Sequence, residues 1–86
     1  MVEVPDGATA TTEEMVRARE AVMAYMEAMR EYIACVNEEI EVAGENATEE
    51  FKALMIQRHN AAVSEMEMVA AAFDEELRAY RAANPE

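Results

Sequence analysis

Three methionines at successive i,i+3 positions, Met23, Met26 and Met29, are the residues whose type and spacing come closest to chemistry. Thioether sulfur is a soft ligand suited to Cu(I). Met66 and Met68 lie further on, and His59 and Cys35, each the one residue of its kind, would add borderline and soft donors. Against a metal site, each i,i+3 step turns the side chain by about 60° around a helix, so the three sulfurs do not aim at one point. Methionine is also a flexible filler of irregular cores, and packing is the stronger reading. Cu(I) handling by Met23, Met26 and Met29, helped by His59, is kept as an alternative function, and no resident cofactor is expected.

The other reactive residue types do not assemble into a site. Cys35 has no His, Asn or Asp that can be assigned to activate it as a nucleophile. A single thiol cannot bridge within the chain, so Cys35 is read as a small buried hydrophobe or as half of an interchain disulfide. That bridge would need the two Cα atoms within about 7 Å. His59 is expected on an apolar helix face opposite Ile33 or Tyr32, bonded to Tyr32 or Tyr25, with pH sensing a minor reading. The acidic pairs Glu13-Glu14, Glu38-Glu39, Glu49-Glu50 and Glu75-Glu76 are adjacent in sequence. Adjacent residues diverge on a helix, which suits a solvated face and not paired acid–base chemistry. A Glu-x-x-His di-iron motif would need a glutamate where Ile56 stands. Asn46-Ala47-Thr48 matches a glycosylation sequon, a short and common pattern that carries no weight outside a secretory context. No enzyme is expected.

Two long amphipathic patterns must position these residues. Apolar residues make up 52% of the 86, yet aromatics only 6% and the formal charge is -12. The apolar content is therefore mostly Ala, Val and Met on acidic helices. Such a charge repels phosphate backbones and anionic lipid surfaces, so neither nucleic acid nor a membrane surface is an expected partner. No run is long and apolar enough for membrane insertion.

Pro5-Asp6-Gly7 signals a turn inside an extended N-terminal arm over residues 1–11. Thr11 or Thr12 reads as a helix N-cap, and Thr11 with Glu14 fits a capping box. The first helix is predicted over about 12–43, carrying Met15, Ala18, Val22, Tyr25, Met26, Met29, Tyr32, Ile33, Val36, Ile40 and Ala43 at steps of three and four. Gly44 is placed to end it in a left-handed conformation. A loop over 44–47 follows, and Thr48 caps a second helix over about 48–82. That helix carries Phe51, Met55, His59, Ala62, Met66, Val69, Phe73, Leu77 and Tyr80, with a second row at Ile56, Val63, Ala70 and Leu77. Glu13–Arg17 and Asp74–Arg78 are spaced for i,i+4 ion pairs. Residues 84–86 form a short tail.

So short a link favours antiparallel neighbours. The expected fold is all-α, an antiparallel two-helix hairpin over 12–83. Folding at the loop sets Val36 against Met55, Met29 against Ala62, Met26 against Met66 and Val22 against Val69. Apolar rows this wide exceed one seam, so the hairpin is expected to pair as a homodimeric four-helix bundle. The association face is assigned to Val22, Met26, Met29, Tyr32, Ile33, Val36, Met55, His59, Met66 and Phe73, with Cys35 as the interchain disulfide candidate.

Pro5-Asp6-Gly7, Tyr32-Ile33-Ala34-Cys35, His59-Asn60, Val63, Met66, Val69-Ala70, Phe73, Leu77 and Tyr80 together resemble a group of small exported helical proteins of proteobacteria. The resemblance implies a cleaved signal peptide, with Met1 standing in its place, and a periplasmic or secreted hairpin. It carries no activity and no functional residue. Without it, a cytoplasmic location is the alternative. The expected function is a non-enzymatic structural or interaction module that self-associates through its apolar helix face, with an unidentified protein partner as a further expectation. A small holdase-like chaperone with a Met-lined groove is the remaining alternative.

Overall fold

In a computed structural model, residues 2–85 are described; expectations resting on Met1 and Glu86 fall outside them. Helix α1 spans Thr12–Ala43 and helix α2 spans Glu49–Ala83, joined through a short 3₁₀ turn at Gly44–Asn46. The two helices pack against each other along their length as a helical hairpin. No strand occurs among the described residues.

Local chemistry sets each boundary. Thr11 holds an extended backbone and its hydroxyl accepts from the Glu14 amide at 3.1 Å. Glu14 reaches back to accept from the Thr11 amide at 2.9 Å, which closes the capping box. The Thr11 amide first, and the Thr11 side chain second, hold the Glu14 carboxyl below its ordinary range. Thr48 caps α2 in the same way, its hydroxyl accepting from Phe51 N–H at 3.0 Å. Each cap satisfies a backbone donor that the first helical turn leaves free.

Gly44 ends α1 with φ 52° and ψ -133°. The positive φ is as expected, but this ψ lies outside the left-handed helical region, so the chain turns directly into the 3₁₀ segment. Nothing lies within 4 Å of a Cβ built there, so the demand for glycine comes from the backbone angle alone. At the far end, the backbone and side-chain amides of Asn84 both donate to Tyr80 O at 3.0 Å. The i,i+4 pair Arg17–Glu13 forms at 3.9 Å. Asp74 and Arg78 do not come within ion-pair distance among the described residues.

The core is one seam. Met15, Ala18, Val22 and Val36 from α1 are buried against Met55, Ala62 and Val69 from α2. Their steps of three, four and seven keep them on one strip of each helix. The molecule is a rod, 59 × 19 × 16 Å, with a radius of gyration of 17.5 Å. A compact chain of this length would have a radius near 12 Å.

The arm changes this picture at one end. Asp6 starts a turn: its carbonyl accepts from Thr9 N–H at 3.1 Å and Ala10 N–H at 2.9 Å, and its carboxylate from Ala8 N–H at 3.1 Å. The turn folds residues 2–6 back over the hairpin. Val2, Val4 and Pro5 become half-buried, so the arm is a third layer and not a free extension.

Candidate functional site

The seam already occupies much of the predicted association face. Val22, Val36 and Met55 are buried inside the hairpin and offer no surface to a partner. Met26, Met29, Ile33, His59, Met66 and Phe73 are half-buried at its edges. Tyr32 alone of that set is exposed, at 44%. The surfaces left for function therefore lie on the two flanks of the seam.

One flank carries the arm. Val2, Val4 and Pro5 sit over Ala18, Ala21, Ala24 and Tyr25 of α1. On the other wall, Met68, Val69 and Ala72 of α2 line a small cleft beside Val2 and Val4. Small side chains on α1 and α2 line the clefts beside the two valines, and Ala21, Ala24 and Ala72 stay exposed there. Gly7 is the anchor: it is buried, and its N–H donates to Glu76 Oε1 at 2.9 Å. A Cβ on Gly7 would lie 1.8 Å from the Glu76 carbonyl oxygen, so only glycine lets the arm touch the α2 backbone. Next to this anchor, the Thr12 and Tyr80 hydroxyls share a hydrogen bond.

Tyr25 lies under the arm, and its hydroxyl oxygen is enclosed without a hydrogen-bond partner. Desolvation, and secondarily the nearby Glu65 charge, push its pKa above the usual phenol value. Towards the turn the same flank is open. Met29, Tyr32, Arg58, Ala61 and Glu65 line a shallow depression there. Beyond it lie Cys35, Glu39, Val42 and Phe51. Cys35 is a free thiol and is exposed, not the buried hydrophobe of the simpler reading, because its row sits on the flank and not at the seam.

The opposite flank has no arm. Val16 and Arg19 of α1 meet Phe73, Leu77 and Arg81 of α2 around a depression at its far end. Met23 continues the α1 row one heptad on, 57% exposed, and Ile56 starts the α2 row, 54% exposed. His59 points to this side of α2, while Tyr25 and Tyr32 flank α1 on the arm side. The expected tyrosine–histidine bond consequently does not form, and His59 Nδ1 meets only its neighbour Asn60 Oδ1, at 3.5 Å.

The methionine triplet fans across the seam. Met29 reaches the arm-side depression and Met23 the opposite flank, with Met26 half-buried between them. Among the described residues, no group of three or more His, Cys, Asp or Glu converges as cation ligands. Among them, too, no helix is long and apolar enough to cross a membrane. No protein-family model, curated protein or solved structure matches this chain.

Proposed function

We propose that the chain is a non-enzymatic interaction module, exported to the periplasm or secreted, that works by self-association of its hairpins into a four-helix bundle. One observation carries this reading: the rod exposes more surface than a compact chain of its mass, with large apolar side chains among it. Its accessible surface is 6400 Å². A compact monomer of its mass would expose about 5,100 Å². The excess, about 1,300 Å² on one chain, is more than the roughly 800 Å² that each partner gives to a standard interface. Val16, Met23, Tyr32, Val42, Leu54, Ile56 and Met68 are the large apolar side chains that it leaves in water.

The test is the solution mass of the intact chain by light scattering over a range of concentrations, with and without reductant. A species of twice 9.6 kDa is expected. A 9.6 kDa monomer throughout the range would sink the proposal.

A further inference from the structure

The arm divides at Asp6 into a base that is tied down and a tip that is not. In the base, residues 6–10, Asp6 O accepts from the Thr9 and Ala10 amides and the Asp6 carboxylate from the Ala8 amide. The Gly7 N–H donates to Glu76 Oε1 at 2.9 Å, and the buried Gly7 has no room for a side chain against the α2 backbone. The tip, residues 2–5, makes no hydrogen bond to either helix among the described residues. Its Val2, Val4 and Pro5 are half-buried and its Glu3 is exposed. Packing alone holds it.

That packing is loose. Between the tip and α1 lies a cleft of about 850 Å³, which also takes in Glu14 and Arg17. Charged side chains keep water in such a space. A smaller cleft lies between the tip and Met68, Val69 and Ala72 of α2. The seam beneath does not depend on this cover: Val36 and Met55, which have no arm over them, are as well buried as Ala18 and Val69, which do.

Closure also carries a cost, and Tyr25 bears it. Its hydroxyl oxygen is enclosed with no partner. In water that hydroxyl bonds to solvent, and whatever encloses it forfeits the bond. Val2 and Val4 share one cleft with Tyr25 and the adjoining one with Glu65, the charge that acts on the Tyr25 hydroxyl. Tip, phenol and Glu65 therefore meet at one place. Half-burial of two valines and a proline favours the closed tip, while ordering four residues and desolvating the hydroxyl oppose it. Opposed contributions of similar size leave two populated states and not one fixed layer.

We infer that residues 2–5 are a hinged lid, swinging on the Asp6–Gly7 anchor between a closed position over Tyr25 and an open one that returns the hydroxyl to water. The anchor and the hairpin stay folded throughout. Open, the lid joins the strip at Ala18, Ala21 and Tyr25 to the depression around Tyr32 and Ala61, so it sets how much of this side of the rod is accessible. The inference is independent of self-association.

The experiment is NMR relaxation dispersion at the backbone amides of the full chain, wild type beside Tyr25→Phe and Val4→Ala, with circular dichroism to check helix content. In the wild type, Glu3 and Val4 are expected to exchange with an open state populated on the order of 1–10%, on the microsecond-to-millisecond scale of lids. Gly7, Val36 and Met55 should show no such exchange. Tyr25→Phe should lower the open fraction by about fivefold, because the orphaned hydroxyl is gone. Val4→Ala should raise it by roughly threefold, because less apolar surface favours closure. A tip as rigid as α1, or one disordered with no closed state, would overturn the lid. Exchange at Gly7 as strong as in the tip would overturn the hinge, since the whole arm would then detach. An open fraction unchanged or raised by Tyr25→Phe would overturn the part given to the hydroxyl.

Discussion

The two halves of the rod are built from the same kind of seam but end in different states of cover. Near the turn, Val36, Met55 and Ala62 are buried by two helices alone. Near the chain ends, Met15, Ala18, Val22 and Val69 lie in a similar seam with the arm laid over it. Two α-helices meeting along one strip cannot enclose large side chains, and no large side chain among the described residues is fully enclosed. The arm adds a half-buried layer at one end, yet the seam residues there, 5–8% exposed, are no better enclosed than those near the turn, 3–4% exposed.

The largest expected effect breaks the half that has no arm. Met55→Ala removes a buried side chain, 3% exposed, from a two-helix seam that has no third layer to collapse into the void. A loss of about 3 kcal/mol is expected in urea unfolding. Amide exchange should rise first on both sides of the turn, with the arm-covered half protected longer. Equal acceleration along the whole rod would show one cooperative unit and erase the contrast.

A smaller effect comes from the covered half. Gly7→Ala drives a methyl group into the Glu76 carbonyl and should lift the arm at a cost of about 1–3 kcal/mol. Limited proteolysis should then cut within residues 2–10, while exchange around Met55 is unchanged. An arm still protected in this variant would mean that Val2 and Val4 hold it without the anchor.

The smallest effect has the opposite sign. Tyr25→Phe deletes an enclosed hydroxyl with no partner, so the melting transition should rise by the equivalent of about 1 kcal/mol. A fall would show that the hydroxyl is satisfied in solution and that the arm closes less tightly over it than described.

Most of the helical framework is legible in the residues. Thr11, Glu14, Gly44 and Thr48 write the boundaries through donors and angles that act within four positions, and the three–four spacing writes the seam. Local rules of that kind survive folding unchanged. The arm was not legible, because Val2-Glu3-Val4-Pro5 has too few positions to show a period and Gly7 reads as an ordinary turn residue. Its docking depends on Ala18, Ala21 and Ala72, which are distant in sequence and look like unremarkable helix formers. A pair of alternating valines ahead of a buried glycine, together with alanines on matching rows of two helices, was the signal available. The surroundings of His59 failed for a related reason: spacing tells how far around a helix a residue lies from its neighbours, but not on which side of the seam its partner helix leaves the tyrosines.

The contacts of Gly7 with Glu76 and of Thr12 with Tyr80 join positions 69 and 68 residues apart. A heptad pattern is nearly the same after seven residues, so two such helices have competing alignments, each presenting apolar rows to apolar rows. Sliding α2 by one repeat would carry Glu76 and Tyr80 roughly 10 Å from their partners at 1.5 Å per residue. The turn at Gly44 clasps the zipper at its foot, and the arm is the catch at its head. It closes only when every tooth between has met the right one.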